Sequence, residues 1–139
     1  MFTRIVVGID GSDHAFHALE YAAKIAQRFG ASLRLVYAFP ETSELLGSPT
    51  YDNLLTRRMA KGQSVLDEAR QQIADFNLDV HEELLEGPAA EAILKVAGVR
   101  EADLIVVGTR GLGQLAGLLL GSVSSKVARH ARCPVMLVR

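Results

Sequence analysis

Arg4 to Ala38 reads R-I-V-V-G-I-D-G-S-D-H-A-F-H-A-L-E-Y-A-A-K-I-A-Q-R-F-G-A-S-L-R-L-V-Y-A. Its opening, Arg4 to Asp10, is short, apolar and β-branched, the pattern of a fully buried strand. Asp10-Gly11-Ser12-Asp13 is a turn and helix-cap cluster. From there apolar residues recur at Ala15, Leu19, Ala22, Ala26 and Phe29, in steps of three and four, so an amphipathic helix is expected, closed by Gly30. Ser32 to Ala38 is a second strand. A strand, helix and strand in so short a span form a βαβ unit, which requires parallel strands and a right-handed crossover.

The same alternation continues outward. Pro40 to Asn53 carries prolines, a glycine and small polar residues without a period, and reads as a loop. Leu54 to Phe76 places Leu55, Met59, Leu66, Ala69, Ile73 and Phe76 on one stripe of a long surface helix. Leu78 to Glu86 is a third strand, Pro88 to Val99 a third helix with proline at its first turn, and Ala102 to Val107 a fourth strand. Gly121 to Ala131 is a fourth helix and Pro134 to Arg139 a fifth strand. This order predicts an α/β fold, a five-stranded parallel sheet with helices on both faces, in one domain over residues 1–139.

Composition narrows the function. The chain has 139 residues, 49% apolar and 22% charged, with a formal net charge of −1. That balance gives no basic field for nucleic acid and no stretch long enough for a membrane span. The opening Met1-Phe2-Thr3-Arg4 lacks a charged leader with an apolar segment behind it, so a cytoplasmic location is expected. Cys133 is the one cysteine and reads as a small buried hydrophobe.

Ligands of open parallel sheets collect beyond the carboxyl ends of the strands. The first strand delivers Gly8, Asp10 and Gly11 there. The fourth leads into V-G-T-R-G-L-G-Q-L-A-G-L-L-L-G-S-V-S, Val107 to Ser124, a glycine-rich connection to a helix start. Gly108 and Gly111 would let backbone approach a sugar or phosphate closely, and Gly121-Ser122 would present free amides and a hydroxyl. Arg110 and Lys126 are the nearest cations. Asp10 would accept from a ribose hydroxyl or base amine, or hold a metal bridging to phosphates. If the first and fourth strands are neighbours, both clusters face one crevice; periodicity leaves that order open.

Other readings of these residues stay open as well. The 108–121 segment could be a plain connection with Ser122 a simple N-cap, and Ser12 and Asp13 read as helix-capping residues. His14 and His17 fall on the exposed side of the first helix, without partners at metal-ligand spacing, and His81 and His130 read as surface residues; no metal site is expected. There is no G-x4-G-K-[ST], no G-x-G-x-x-G after the first strand, and no local Ser-His-Asp or Cys-His context, so no catalytic residue is assigned.

G-T-R-G at 108 to 111, nine residues, then G-S at 121 to 122 resembles the G-x2-G-x9-G-[ST] pattern of ATP-binding universal stress proteins. The opening I-V-V-G-I-D-G-S, the strand and loop D-L-I-V-V-G-T-R-G, the L-L-L-G-S-V-S-S-K-V and the closing C-P-V-M-L-V are similar to that family too. The resemblance implies the order 3-2-1-4-5 in a Rossmann-like, adenine nucleotide alpha hydrolase-like sheet, a homodimer paired through the last strand, and ATP, with or without Mg2+, bound without rapid turnover. By position it puts Gly8 and Asp10 at ribose and base, and the backbone of Tyr37 or Ala38 at the adenine. Val107 and Gly108 flank the ribose, and Gly111, Gly121, Ser122 and Val123 hold the phosphates. Gly8 departs from some ATP-binding members, which carry proline there.

The leading expectation is thus a cytoplasmic ATP-binding stress-response or regulatory dimer. A slow ATPase or a phosphotransferase using Asp10 with a metal is a second expectation. A nucleotide-free dimeric module with its partner surface at Leu112 to Leu120 is a third.

Overall fold

The computed structural model describes residues 1–110 and 120–139. Five strands, β1 (Arg4–Gly8), β2 (Ser32–Phe39), β3 (Val80–Glu86), β4 (Leu104–Gly108) and β5 (Val135–Val138), alternate with four helices. These are α1 (Asp13–Phe29), α2 (Thr50–Gln72), α3 (Ala89–Val99) and α4 (Ser122–His130). The strands pair in parallel in the order β3-β2-β1-β4-β5, so β1 and β4 are direct neighbours.

Apolar residues on both strand faces bury the sheet on both sides, because successive side chains of a strand point oppositely. Ile5, Val7, Leu33, Leu35 and Val106 pack with Leu19, Ala22 and Ala26 of α1 and Leu66 and Ala69 of α2. Val6, Val36, Ile105 and Val107 pack with Ile93 and Val96 of α3 and Val127 of α4.

Local chemistry fixes the ends of α1. The Ser12 hydroxyl accepts from the Ala15 amide at 3.2 Å, Asp13 stands in the first turn, and Gly30 takes the left-handed conformation (φ 68°) that stops the helix. Phe29, expected on the buried stripe, is half exposed and lies edge-on to the Phe2 ring instead.

The long helix differs from expectation. α2 starts at Thr50 and not at Leu54, because Tyr51 and Asn53 already donate to the carbonyls of Gly47 and Pro49, and Asp52 favours the first turn. The expected loop 40–53 also contains a 3-10 turn at Glu44–Leu46. At its far end α2 stops at Gln72, while Phe76 sits in a separate 3-10 turn closed by the left-handed Asn77. Met59 is 42% exposed, whereas Gly62 is buried. A Cβ on Gly62 would come within 2.5 Å of Leu84 Cδ1 and 2.7 Å of Tyr37 Cδ1, so the glycine lets α2 close onto β2 and β3. Among the described residues no helix is long and apolar enough to cross a membrane.

Candidate functional site

A crevice of about 600 Å³, counting its open part, lies beyond the carboxyl ends of β1 and β4. Gly8, Asp10, Ala38, Val107, Gly108, Gly121 and Val123, all expected at a site, line it together. The adjacency of β1 and β4 brings them there, since the chain leaves the two strands toward opposite faces of the sheet. Ile9, Ala15, Val36, Ala89, Ile93, Thr109, Arg110 and Ser124 complete the wall and were not read from the sequence as site residues, apart from Arg110 as a nearby cation.

Tyr37 and Ser122, also expected at the site, are not among the residues lining the crevice. The Tyr37 side chain points to the α2 side of the sheet, packed against Gly62, so only its backbone is on the strand that borders the crevice. Burial, and behind it the charge of Asp10, push its phenol above the ordinary tyrosine range and keep it neutral. Ser122 is the exposed first residue of α4, and Gly121 holds the N-cap position, so Ser122 does not cap the helix. Gly111 and Leu112 to Leu119 lie outside the described residues.

Asp10 closes the β1–α1 turn. Its Oδ1 accepts from the Ser12 amide at 2.9 Å and the Ser12 hydroxyl at 2.6 Å, and Ser12 in turn caps α1. Asp10 thus orients the turn as well as facing the crevice. Among the described lining residues it is the one carboxylate, and Arg110 is the one cation. Lys126, the other expected cation, is ion-paired with Glu91 of α3, and that bond holds the Glu91 carboxyl below the usual range.

The glycines at the two strand ends have different reasons. A Cβ on Gly108 would lie 2.8 Å from the His14 carbonyl carbon and 2.9 Å from its oxygen, so this glycine is needed for α1 to press against β4. A Cβ on Gly8 would meet Ile93 Cδ1 at 2.6 Å. Gly108 lines the crevice as expected of a site residue, and its missing side chain leaves room on the α1 side. His14, expected on the exposed side of α1, is partly buried, and its Nδ1 is enclosed without a hydrogen-bond partner among the described residues.

The first turn of α4 borders the same region through Val123 and Ser124. The helix ladder begins with the Ser125 amide donating to Gly121 at 3.0 Å, so the amides of Ser122, Val123 and Ser124 have no acceptor within the helix. The Gly121 amide, a fourth free donor by sequence, instead donates to the Thr109 carbonyl at 2.6 Å. Three amides and the helix dipole make a site suited to an anion, and the apolar walls at Val36, Ala38, Ile93 and Val107 suit a flat organic group.

A universal stress protein family model matches residues 1–139. The "Universal stress protein in QAH/OAS sulfhydrylase 3'region" of Thermus aquaticus is 45% identical over 139 residues, covering 100% of each chain. Among solved structures, universal stress protein UspA from Lactobacillus plantarum superposes with a TM-score of 0.89 at 30% identity, covering 99% of this chain and 98% of its own. A universal stress protein in complex with cAMP superposes with a TM-score of 0.78, also at 30% identity, covering 99% and 97%. With its sheet order, its crevice and these likenesses together, the chain belongs to the universal stress protein family.

Proposed function

We propose that this protein binds ATP in the β1–β4 crevice and acts in the cytoplasm as a nucleotide-dependent regulatory protein of the stress response. The observation that carries the reading is the meeting, in one crevice, of apolar strand ends with Val123 and Ser124 of the first turn of α4, whose amides have no acceptor within the helix. The cAMP complex of a 30% identical relative supports an adenine nucleotide as the occupant. In this reading the base and ribose rest near Gly8, Asp10, Val107 and the backbone of Tyr37 and Ala38. The phosphates meet Gly111, Gly121, Ser122 and Val123, and Arg110 faces them. Mg2+, where it accompanies the nucleotide, would find its carboxylate in Asp10.

Slow turnover fits the chemistry. The Asp10 Oδ1 is engaged by two donors from Ser12, which leaves it poorly disposed to activate water or attack phosphorus. Bound nucleotide then acts by shifting the population of a partner-binding surface or dimer. The dimer is proposed through β5, an outer strand of the sheet, whose open edge would otherwise invite unspecific pairing.

Calorimetric titration with ATP, ADP, AMP, cAMP and adenosine tests this. Two or three charge-assisted amide bonds at a net ~1 kcal/mol each predict that ATP binds at least tenfold more tightly than adenosine. Phosphate release with Mg2+ should be slow, on the order of hours per turnover or longer, against the seconds typical of an ATPase. Absence of saturable ATP binding refutes the proposal, and rapid phosphate release moves the protein to the class of enzymes.

A further inference from the structure

Ser124 is 1% exposed, yet its hydroxyl belongs to the third residue of a helix whose first turn borders the crevice. Serine is a poor residue inside a helix unless its side chain finds backbone to bond. Here it finds two acceptors, the Thr109 carbonyl at 3.0 Å and the Gly121 carbonyl at 3.1 Å. The Thr109 carbonyl also receives the Gly121 amide at 2.6 Å, and the Thr109 amide donates to Val138 of β5 at 2.8 Å. Residues 109 and 121, the two ends of the connection from β4 to α4, are therefore closed on one another, and Ser124 is the side chain across that closure. Gly121 has no side chain with which to cap α4.

We infer that Ser124 is a positioning residue for phosphate recognition: it fixes the start of α4 against the end of β4, so that the Ser122 and Val123 amides are aimed before the nucleotide arrives. This rests on the proposed nucleotide site. The hydroxyl's one proton is shared between two backbone carbonyls and the residue is shut from solvent, so its donor is spent within the protein and not on the ligand. Its influence passes through the helix terminus, whose donors must be oriented within a few tenths of an ångström to hold an anion well. Binding of the base and ribose, which depends on strand ends that Ser124 does not hold, is separate.

The test compares S124A with wild type in titrations with ATP and with adenosine, and S124C, which keeps the unbranched shape with a somewhat larger and weaker donor, is the second variant. S124A should lose about tenfold in ATP affinity with adenosine affinity unchanged, and S124C should fall between. Thermal unfolding of the ligand-free proteins identifies a variant that does not fold; if S124A fails, S124C carries the same expectation, a loss confined to ATP. Equal loss of ATP and adenosine, which a merely structural role would give, overturns the inference, as does ATP affinity equal to wild type in both variants. Those results leave the nucleotide site standing. Wild-type protein that takes up neither ligand overturns the site and this inference together.

Discussion

Gly8 and Gly108 end adjacent strands of the sheet, and replacing each with alanine should give opposite kinds of damage. At Gly108 the new Cβ would sit 2.8 Å from the His14 carbonyl carbon and 2.9 Å from both its Cβ and its oxygen. Ordinary carbon contacts lie at roughly 3.5–4.0 Å, so about 0.7 Å of overlap must be relieved. The obstacle is the backbone of the first turn of α1, held by the Ser12 cap, and it can yield only if the helix lifts from β4. Overpacking of this kind costs ~1–3 kcal/mol, offset by ~0.4–1 kcal/mol from the stiffer unfolded chain. A net loss of about 1–2 kcal/mol lowers Tm by roughly 4–8 °C in a chain of this size. At Gly8 the first obstacle is Ile93 Cδ1 at 2.6 Å, the tip of a side chain that can rotate. Ile93 lines the crevice, so its displacement takes space from the ligand. G8A should melt close to wild type while ATP affinity falls about fivefold, the equivalent of ~1 kcal/mol of lost fit. Differential scanning calorimetry and titration of both variants check this; G108A melting with wild type, or G8A being the less stable of the two, refutes the packing argument.

Replacing Ser12 with alanine removes the α1 cap and should cost ~1 kcal/mol, seen as a lower urea midpoint. Asp103 accepts from the Thr3 amide, the Thr3 hydroxyl and the Arg4 amide at 2.8, 2.7 and 3.1 Å. Burial alone would raise its pKa, but those bonds outweigh it and hold the carboxyl below the usual range. A folded-state pKa below the unfolded one gives stability that is present above about pH 4 and lost as pH falls through the folded value. D103N should therefore be less stable at pH 7 and show a smaller further loss between pH 4 and pH 2, read from urea midpoints. The carbonyls of Pro134, just before β5, and of Val138, at its end, accept from the amides of Ile105 in β4 and Thr109 just after it, so by alternation the backbone of Leu137 faces the open edge. L137P should convert the proposed dimer to a folded monomer in sedimentation velocity with circular dichroism unchanged; a dimer that survives places the interface elsewhere.

The parts of the fold legible in the sequence are those set by local rules. β-branched runs such as Arg4 to Gly8 became buried strands, and Ser12 and Gly30 bounded α1, because cap chemistry acts within a few residues. The start of α2 was missed because Pro49 and Gly47 look like loop residues until their carbonyls are seen receiving Asn53 and Tyr51. The crevice could be placed at strand ends, but what fills each glycine's missing side chain is a long-range fact. Nothing near Gly108 in sequence announces His14, and nothing near Gly62 announces Tyr37 and Leu84. Ser124 left a weak signal. Three serines in the first turns of one helix, G-S-V-S-S, ask for backbone partners, and only the structure shows that one of them finds Thr109.

The central claim is that ATP occupies the crevice with its phosphates on the first turn of α4. An amide ¹⁵N–¹H spectrum recorded through a titration with ATP tests it residue by residue. Saturable shifts should concentrate at Gly8 to Asp10, at Val107 to Arg110 and at Gly121 to Ser124, the last group weakened when adenosine replaces ATP. A spectrum that ATP leaves unchanged, or one whose saturable shifts gather away from these three segments, contradicts the account.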